Sequence, residues 1–315
     1  MTLHDRHTVA VTGGSGFVGR TLVQRLLDAG MQVKLLSRRP DAGRVFNSSA
    51  LEVCVGDLFE PTTLRSWTNG AATVYHLAGE TRDIGRFSAI NVQGTINVLT
   101  ASEGVGVRRV VYLSSAGVIG ADGTAREVDE RTPTQPRNAY ESSKLAAETE
   151  CLRRNQPDFA VTALRPPIIY GDGKKSRKDG FLSLLRLLRA RRLPLLGRQY
   201  VSSYAYVGDV AAACQTLADH PLAGGRAFIL SEPIPLTTFL NEAAAILGVR
   251  EPWVLPGWAG RPMAGALRQT GRFGSLFNET HYDGDALANL GFQLPFGYRE
   301  GLRRTLTWYR QAGLL

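Results

Sequence analysis

The sequence predicts an α/β protein built on a doubly wound parallel sheet, and two observations predict it. Short apolar runs alternate with stretches of helical apolar spacing as far as about residue 170, the pattern of parallel strands joined by crossover helices. The first apolar run passes directly into a glycine-rich turn and then a helix. No internal repeat or low-complexity linker divides the 315 residues, and a chain of this length buries a substantial core.

The elements follow in order. Residues 8–11 form a first buried strand, and Gly13, Gly16 and Gly19 follow at G-x-x-G-x-x-G spacing. Residues 21–27 then carry helical apolar spacing until Gly30 stops the helix. Glycines between a strand and a helix let the backbone approach a pyrophosphate, whose charge the helix N-terminus favours through its free N–H groups. The second strand, 32–37, ends in Ser37-Arg38-Arg39. An NAD enzyme usually keeps an acidic residue there for the ribose hydroxyls. A carboxylate would repel a 2′-phosphate, whereas a guanidinium holds one through paired charge-assisted bonds. NADP(H) is therefore the favoured cofactor, with NAD(H) as the alternative.

A third strand closes on Gly56-Asp57-Leu58, a fourth on His76-Leu77-Ala78-Gly79 and a fifth, 109–115, on Ser114-Ser115. A loop with Pro133 and Pro136 precedes a helix that opens with Tyr140-Glu141-Ser142-Ser143-Lys144. Tyr140 and Lys144 stand at i and i+4 and share a helix face. Taking hydride from a secondary alcohol also requires taking its hydroxyl proton. A phenol near pKa 10 is a poor base at neutral pH, and a nearby ammonium favours the phenolate. A sixth strand leads into Arg165-Pro166-Pro167.

These motifs, in this order, resemble the extended short-chain dehydrogenase/reductase superfamily and its NAD(P)-dependent epimerase/dehydratase family. Thr12 to Gly19 matches the T-G-G-x-G-F-I/V-G opening. The resemblance implies that Gly13, Gly16, Phe17 and Val18 cradle the cofactor and that Asp57 and Leu58 meet the adenine. It implies that Leu77, Ala78 and Gly79 border the nicotinamide ribose and that Pro166 also touches the cofactor. Ser115 would hold the substrate oxygen, with Ser114 as its backup. Tyr140 would exchange the proton, and Lys144 would tune Tyr140 and bind ribose. Ser115 lies 25 positions before Tyr140, as in the extended members. Asn91 (in Asn91-Val92-Gln93-Gly94-Thr95) is expected to organise the site, and His76 to be a packed strand-end residue. Ile119, where the family usually has Tyr, is expected to alter the substrate-pocket lining. Further matches run through Ala146-Ala147-Glu148, Val207-Gly208-Asp209-Val210-Ala211 and Glu300-Gly301-Leu302 to Trp308-Tyr309.

The resemblance also implies architecture. A Rossmann-type domain would span 1–170, completed by about 204–231. A small, interleaved C-terminal substrate-binding lobe would occupy most of 171–315, with the site between the two. A homodimer is expected through the helix at about 87–102 and the one following Asn138.

Departures from the family narrow the chemistry. Nucleotide-sugar dehydratases place Asp-Glu after the catalytic hydroxyl residue, where this chain has Ala116-Gly117. Epimerases usually have Asn at the place of Ile168, and an Arg-Asp pair where Ser202-Ser203 stands. Pro166-Pro167 looks more like the reductase and 3β-hydroxysteroid dehydrogenase-like branch. The expected reaction is therefore interconversion of a ketone and a secondary alcohol with NADP(H). The alternative is a UDP- or dTDP-hexose epimerase or 4-ketoreductase. A non-catalytic redox sensor is disfavoured by the intact Ser115, Tyr140 and Lys144.

One feature leaves room for a phosphate-bearing substrate, a nucleotide sugar or an acyl thioester, beside its plainer reading as a solvated helix face. Lys174, Lys175, Arg177 and Lys178 form a basic loop, and Arg186, Arg189, Arg191 and Arg192 follow among leucines. A cationic rim attracts phosphate. A solvated helix face and an anionic membrane contact are the other readings of the same residues. The formal net charge is +9, yet no nucleic-acid recognition motif accompanies it. Cys54, Cys151 and Cys214 lack metal or disulfide spacing, so no metal site is expected. No segment resembles a signal peptide or an apolar run of membrane-spanning length, and a cytoplasmic location is expected.

Overall fold

A computed structural model describes residues 8–120, 126–174, 180–195, 200–202, 204–254 and 280–315. Through the first half the chain runs β1 (Thr8–Thr12), α1 (Phe17–Asp28), β2 (Gln32–Ser37), β3 (Leu51–Val55), α2 (Pro61–Thr68), β4 (Thr73–His76), α3 (Gly94–Ser102) and β5 (Arg109–Leu113). It continues through β6 (Arg126–Val128), α4 (Ala139–Arg153), β7 (Ala160–Arg165), β8 (Ile168–Tyr170), α5 (Gly180–Arg189), β9 (Pro194–Leu195), β10 (Val201–Ser202), β11 (Tyr204–Tyr206), α6 (Val207–Asp219) and β12 (Ala227–Ile229). The final helix spans Gly297–Gln311.

Seven of these strands make one sheet in the order β12-β7-β5-β4-β1-β2-β3, and each pairing is parallel. The expected doubly wound sheet is therefore the fold. Alternate residues of β1 serve opposite layers. Val9 and Val11 pack in the core formed with Leu22 and Leu26 of α1. Ala10 packs on the other face with Leu64, Trp67 and Val98. Both layers are apolar, as burial of a parallel sheet on both faces requires. The chain winds outward from β1 to β3, then returns to place β4 on the other side of β1. The crevice beyond the carboxyl ends of β1 and β4 is the topological switch point, where open α/β sheets bind ligands.

Two local outcomes differ from the sequence reading. The helix expected at about 87–102 is not uniform: Ser88–Gln93 is a π-helical turn that precedes α3. Within it the Asn91 side chain is buried and bonded to residues of other segments, and a π-bulge accommodates such an inward-turned residue. Ile119 does not line the pocket. It is fully buried with Val118, Val128 and Ile229, because the turn Ala116–Ile119 directs it into that cluster.

Leucines of the basic segment are likewise covered. Phe181, Leu182, Leu184, Leu185 and Leu188 of α5 lie in the core, and Arg186 donates to Leu314 O at 2.9 Å. So most of the apolar face of α5 packs into the core and not outward, with Leu187 half-buried. Lys175, Arg177 and Lys178, Ser203, and residues 255–279 lie outside the described residues. No helix among the described residues is long and apolar enough to cross a membrane.

Candidate active site

The glycine turn is built by close backbone approach. Gly13 has φ +69, and a Cβ on it would stand 2.6 Å from Ala78 N, so only glycine fits between the ends of β1 and β4. Gly16 N donates to Gly13 O at 2.8 Å, folding the turn onto the start of α1. Thr12 Oγ1 accepts the amide hydrogens of Leu77 (3.2 Å) and Ala78 (3.1 Å), which pins the two strand ends together. The result is a bare-backbone groove at a helix N-terminus, a fitting seat for a pyrophosphate.

Two cavities open from this groove. One, of about 340 Å³, is lined by Ser37, Arg38, Arg39, Asp57, Leu58 and Ala78, with Arg86 on its rim. Neither Arg38 nor Arg39 has a side-chain hydrogen bond or ion pair among the described residues, and both are exposed. The other, of about 1170 Å³, is lined by Gly13, Gly16, Phe17, Val18, Leu77 and Gly79 on one side. Ser114, Ser115, Tyr140, Lys144 and Pro166 line its other side. The residues singled out in the sequence thus line two adjoining spaces, one of a size for an adenosine and the other for a nicotinamide with its substrate.

The α4 helix starts with Asn138 Oδ1 accepting Glu141 N at 2.9 Å, while Glu141 Oε2 accepts Arg137 N at 2.7 Å. These reciprocal caps satisfy amides at the helix start and set Tyr140 in the first turn. Lys144 is buried. Its Nζ donates to Leu113 O at 2.6 Å and lies 4.2 Å from the centroid of the Tyr112 ring. Burial pushes its ammonium down to about 8, against the opposing pull of Cys151 and Glu148. Burial, and then the Glu141 carboxylate, push the Tyr140 phenol up. The surroundings of Tyr140 in the protein itself therefore raise the phenol, where the sequence led to a lowering.

The strand ladder continues past β5 and β7. Ser114 N donates to Leu164 O at 2.8 Å and Ala116 N to Pro166 O at 2.9 Å. This carries Ser115 to the cleft wall, where its Oγ accepts Gly117 N at 3.1 Å. Ser114 Oγ is buried beside it without a hydrogen-bond partner among the described residues. That unpartnered hydroxyl at the cleft wall also fits a site made to receive a polar ligand.

Polar residues that the sequence reading left in the background connect these parts. Thr95 Oγ1 donates to Asn91 O at 2.6 Å, so at the 2.9 Å contact with His76 Nε2 it accepts. His76 is therefore the Nε2–H tautomer, and its Nδ1 accepts from Thr12 Oγ1 at 2.7 Å. Burial drives its pKa down to about 3, which keeps the ring neutral. Asn91 Nδ2 donates to Ser143 Oγ at 2.9 Å, and Ser143 Oγ donates to Tyr140 O at 2.7 Å. One chain of hydrogen bonds thus runs from the glycine turn to the first turn of α4. Asn91 also grips Glu80 through both backbone groups, at 2.7 Å and 3.0 Å. Ser143, Thr95 and Glu80 were not singled out in the sequence. The only local signals were Ser143 beside Lys144 and Thr95 at i+4 from Asn91.

A family model described as "NAD dependent epimerase/dehydratase family" matches residues 9–230. The chain belongs to this family. It is 32% identical to "3 beta-hydroxysteroid dehydrogenase/Delta 5-->4-isomerase" of Mycobacterium tuberculosis, over 79% of this chain and 75% of that one. It is 31% identical to "2-alkyl-3-oxoalkanoate reductase" of Shewanella oneidensis, over 76% of this chain and 66% of the relative. A solved structure of MoeE5 in complex with UDP-glucose and NAD superposes with TM-score 0.74 at 27% identity, covering 97% of this chain and 99% of that one. The protein is accordingly an NAD-dependent enzyme of the extended short-chain dehydrogenase/reductase type.

The family motifs outside the cleft acquire structural reasons. Glu148 and Arg165 form a buried pair, with Nη2 to Oε1 at 2.6 Å and Nε to Oε2 at 3.0 Å. Asp209 accepts the amide hydrogens of Phe296 (2.9 Å) and Gly297 (3.1 Å) at the start of the final helix. These residues of the epimerase/dehydratase family therefore hold elements that frame the cleft without lining it.

Proposed function

We propose that this enzyme interconverts a ketone and a secondary alcohol with NADP(H). The observation that carries the reading is the convergence of Ser115, Tyr140 and Lys144 on the cleft that the glycine turn opens into. The names of the two curated relatives above, a dehydrogenase and a ketone reductase, support it.

When bound, the nicotinamide supplies or accepts the hydride at the carbonyl carbon. Ser115 Oγ donates to the substrate oxygen and fixes it beside Tyr140. Tyr140 gives its phenolic proton to that oxygen in reduction and takes it back in oxidation. Lys144, held by Leu113 O, keeps a cation near Tyr140 and so favours the phenolate that each turnover requires. Ala116 and Gly117 offer no acid beside the substrate, so elimination of water has no proton donor there. Ile168 lines the cleft as an apolar side chain, which disfavours the amide contact of a nucleotide-sugar epimerase. Arg38 and Arg39 take the 2′-phosphate, and Arg86, on the same cavity, adds a third cation.

A second reading, epimerisation of a nucleotide sugar, is favoured by Arg20, Arg82 and Lys174 around the cleft. Purified protein incubated with NADPH or NADH and a panel of ketones and nucleotide sugars tests both. Stoichiometric loss of NADPH with a ketone, faster than loss of NADH, is the expected result. A UDP-sugar converted to its epimer without net cofactor change would replace the reading with the second one.

A further inference from the structure

The turn that follows β4 sends two arginines to different places. Arg86 reaches the smaller cavity, on the adenosine side. Arg82 lines the larger cleft together with Ser115, Tyr140 and Lys144.

The turn is rigidly built. Glu80 Oε1 accepts the amide hydrogens of Thr81 at 2.8 Å and Arg82 at 2.9 Å, with Asp83 at 3.4 Å. These bonds hold the Glu80 carboxyl below its ordinary range, so it stays an anion committed to the turn. Through Asn91 and Ser143 the same turn is tied to Tyr140 O. At its start, the Cβ direction of Gly79 points to within 4.0 Å of Lys144 Nζ. Arg82 is three residues further on, a span of at most about 11 Å even if extended, and shorter in a turn.

The other cations of the cleft are engaged. Arg20 Nε donates to Ser15 O at 3.1 Å beside the glycine turn, and Lys174 Nζ donates to Ile169 O at 3.0 Å. The Arg82 guanidinium makes no side-chain hydrogen bond or ion pair among the described residues, and it is exposed. A fork of donors, on a rigid mount that lines the same cleft as Ser115, Tyr140 and Lys144, matches a compact anion.

We propose that Arg82 is a specificity-determining residue that binds an anionic oxygen group, carboxylate or phosphate, carried by the substrate close to its carbonyl. This rests on the ketone–alcohol reading above and names the substrate class that it leaves open.

The test uses the enzyme–NADPH complex and reads binding by the change in NADPH fluorescence, which needs no turnover. Acetoacetate is compared with methyl acetoacetate, and dihydroxyacetone phosphate with dihydroxyacetone. Wild type is expected to bind at least one anion about 10- to 100-fold more tightly than its neutral partner. The pair that shows the preference identifies carboxylate or phosphate. Arg82→Gln abolishes that ratio by weakening the anion alone, Arg82→Lys keeps part of it, and the Kd of NADPH moves less than twofold. Equal ratios in wild type and Arg82→Gln overturn the proposal. So does a loss falling equally on neutral ligands, or on NADPH itself. If wild type reduces no ketone of any class, the reading of function fails separately, while the binding ratios still decide the role of Arg82.

Discussion

Glu148 and Arg165 join the helix that carries Tyr140 and Lys144 to the end of β7 through a buried, two-point ion pair. Arg165 Nη1 has no hydrogen-bond partner among the described residues. Removing one partner of a buried pair strands the other charge, which costs about 3–5 kcal/mol. Glu148→Gln and Arg165→Met are each expected to lose about that much in urea unfolding. The double variant Glu148→Leu with Arg165→Met is expected to recover most of it, because no stranded charge remains.

Tyr140→Phe keeps the ring packing against Phe87, whose centroid lies 5.8 Å away, and removes only the hydroxyl. We expect kcat to fall by at least about 10²- to 10⁴-fold, with the Kd of NADPH within about twofold of wild type. Steady-state turnover and fluorescence titration read the two effects. Near-normal kcat would dismiss Tyr140 as the proton donor.

The cofactor preference is separable from the chemistry. Arg38→Asp with Arg39→Ser introduces the carboxylate that ribose hydroxyls favour and a 2′-phosphate repels. The KM for NADPH is expected to rise about 100-fold, while the KM for NADH stays level or falls. An unchanged NADPH to NADH ratio would mean that these arginines are solvated surface groups.

His76 gives stability a pH dependence of definite sign. Its pKa in the fold is about 3, below its ordinary 6.5, because the buried ring is held neutral. As pH falls, the unfolded chain binds this proton first. Its contribution is therefore fully present above about pH 6.5 and is lost from there down towards pH 3, by up to about 1.4 kcal/mol per pH unit. His76→Asn is expected to be less stable than wild type at pH 7.5, since the Thr12 and Thr95 contacts are cut, and to show a shallower decline below pH 6. Denaturant titrations at a series of pH values read this difference, and parallel declines would refute it.

Much of the fold was legible because its signals are local. Apolar runs, helical spacing and the glycines after β1 depend on neighbours in sequence, and they gave the strands of the sheet and the turn at the cofactor groove. That Ser115, Tyr140 and Lys144 line one cleft was legible for the same reason, each standing in a short motif at a strand end or helix start. Ile119 was misread because a motif position does not say which way a turn directs its side chain. The π-turn at Ser88–Gln93 was missed because the partners of its buried Asn91 side chain, Glu80 and Ser143, lie in other segments.

The sequence by itself determined the parallel α/β sheet, the bare-backbone turn after β1 and the polar side chains carried to the cleft. The tertiary structure alone decided how those parts are coupled. Thr12 and His76 are 64 residues apart, and Asn91 and Ser143 are 52 apart, so their bonds exist only once β1, β4 and α4 are in register. It also decided that burial raises the Tyr140 phenol in the protein itself, and that Arg82 and Arg86 face different cavities. Hydrogen bonding and desolvation act at distances of a few ångströms in space, and no spacing along the chain encodes which distant groups come that close.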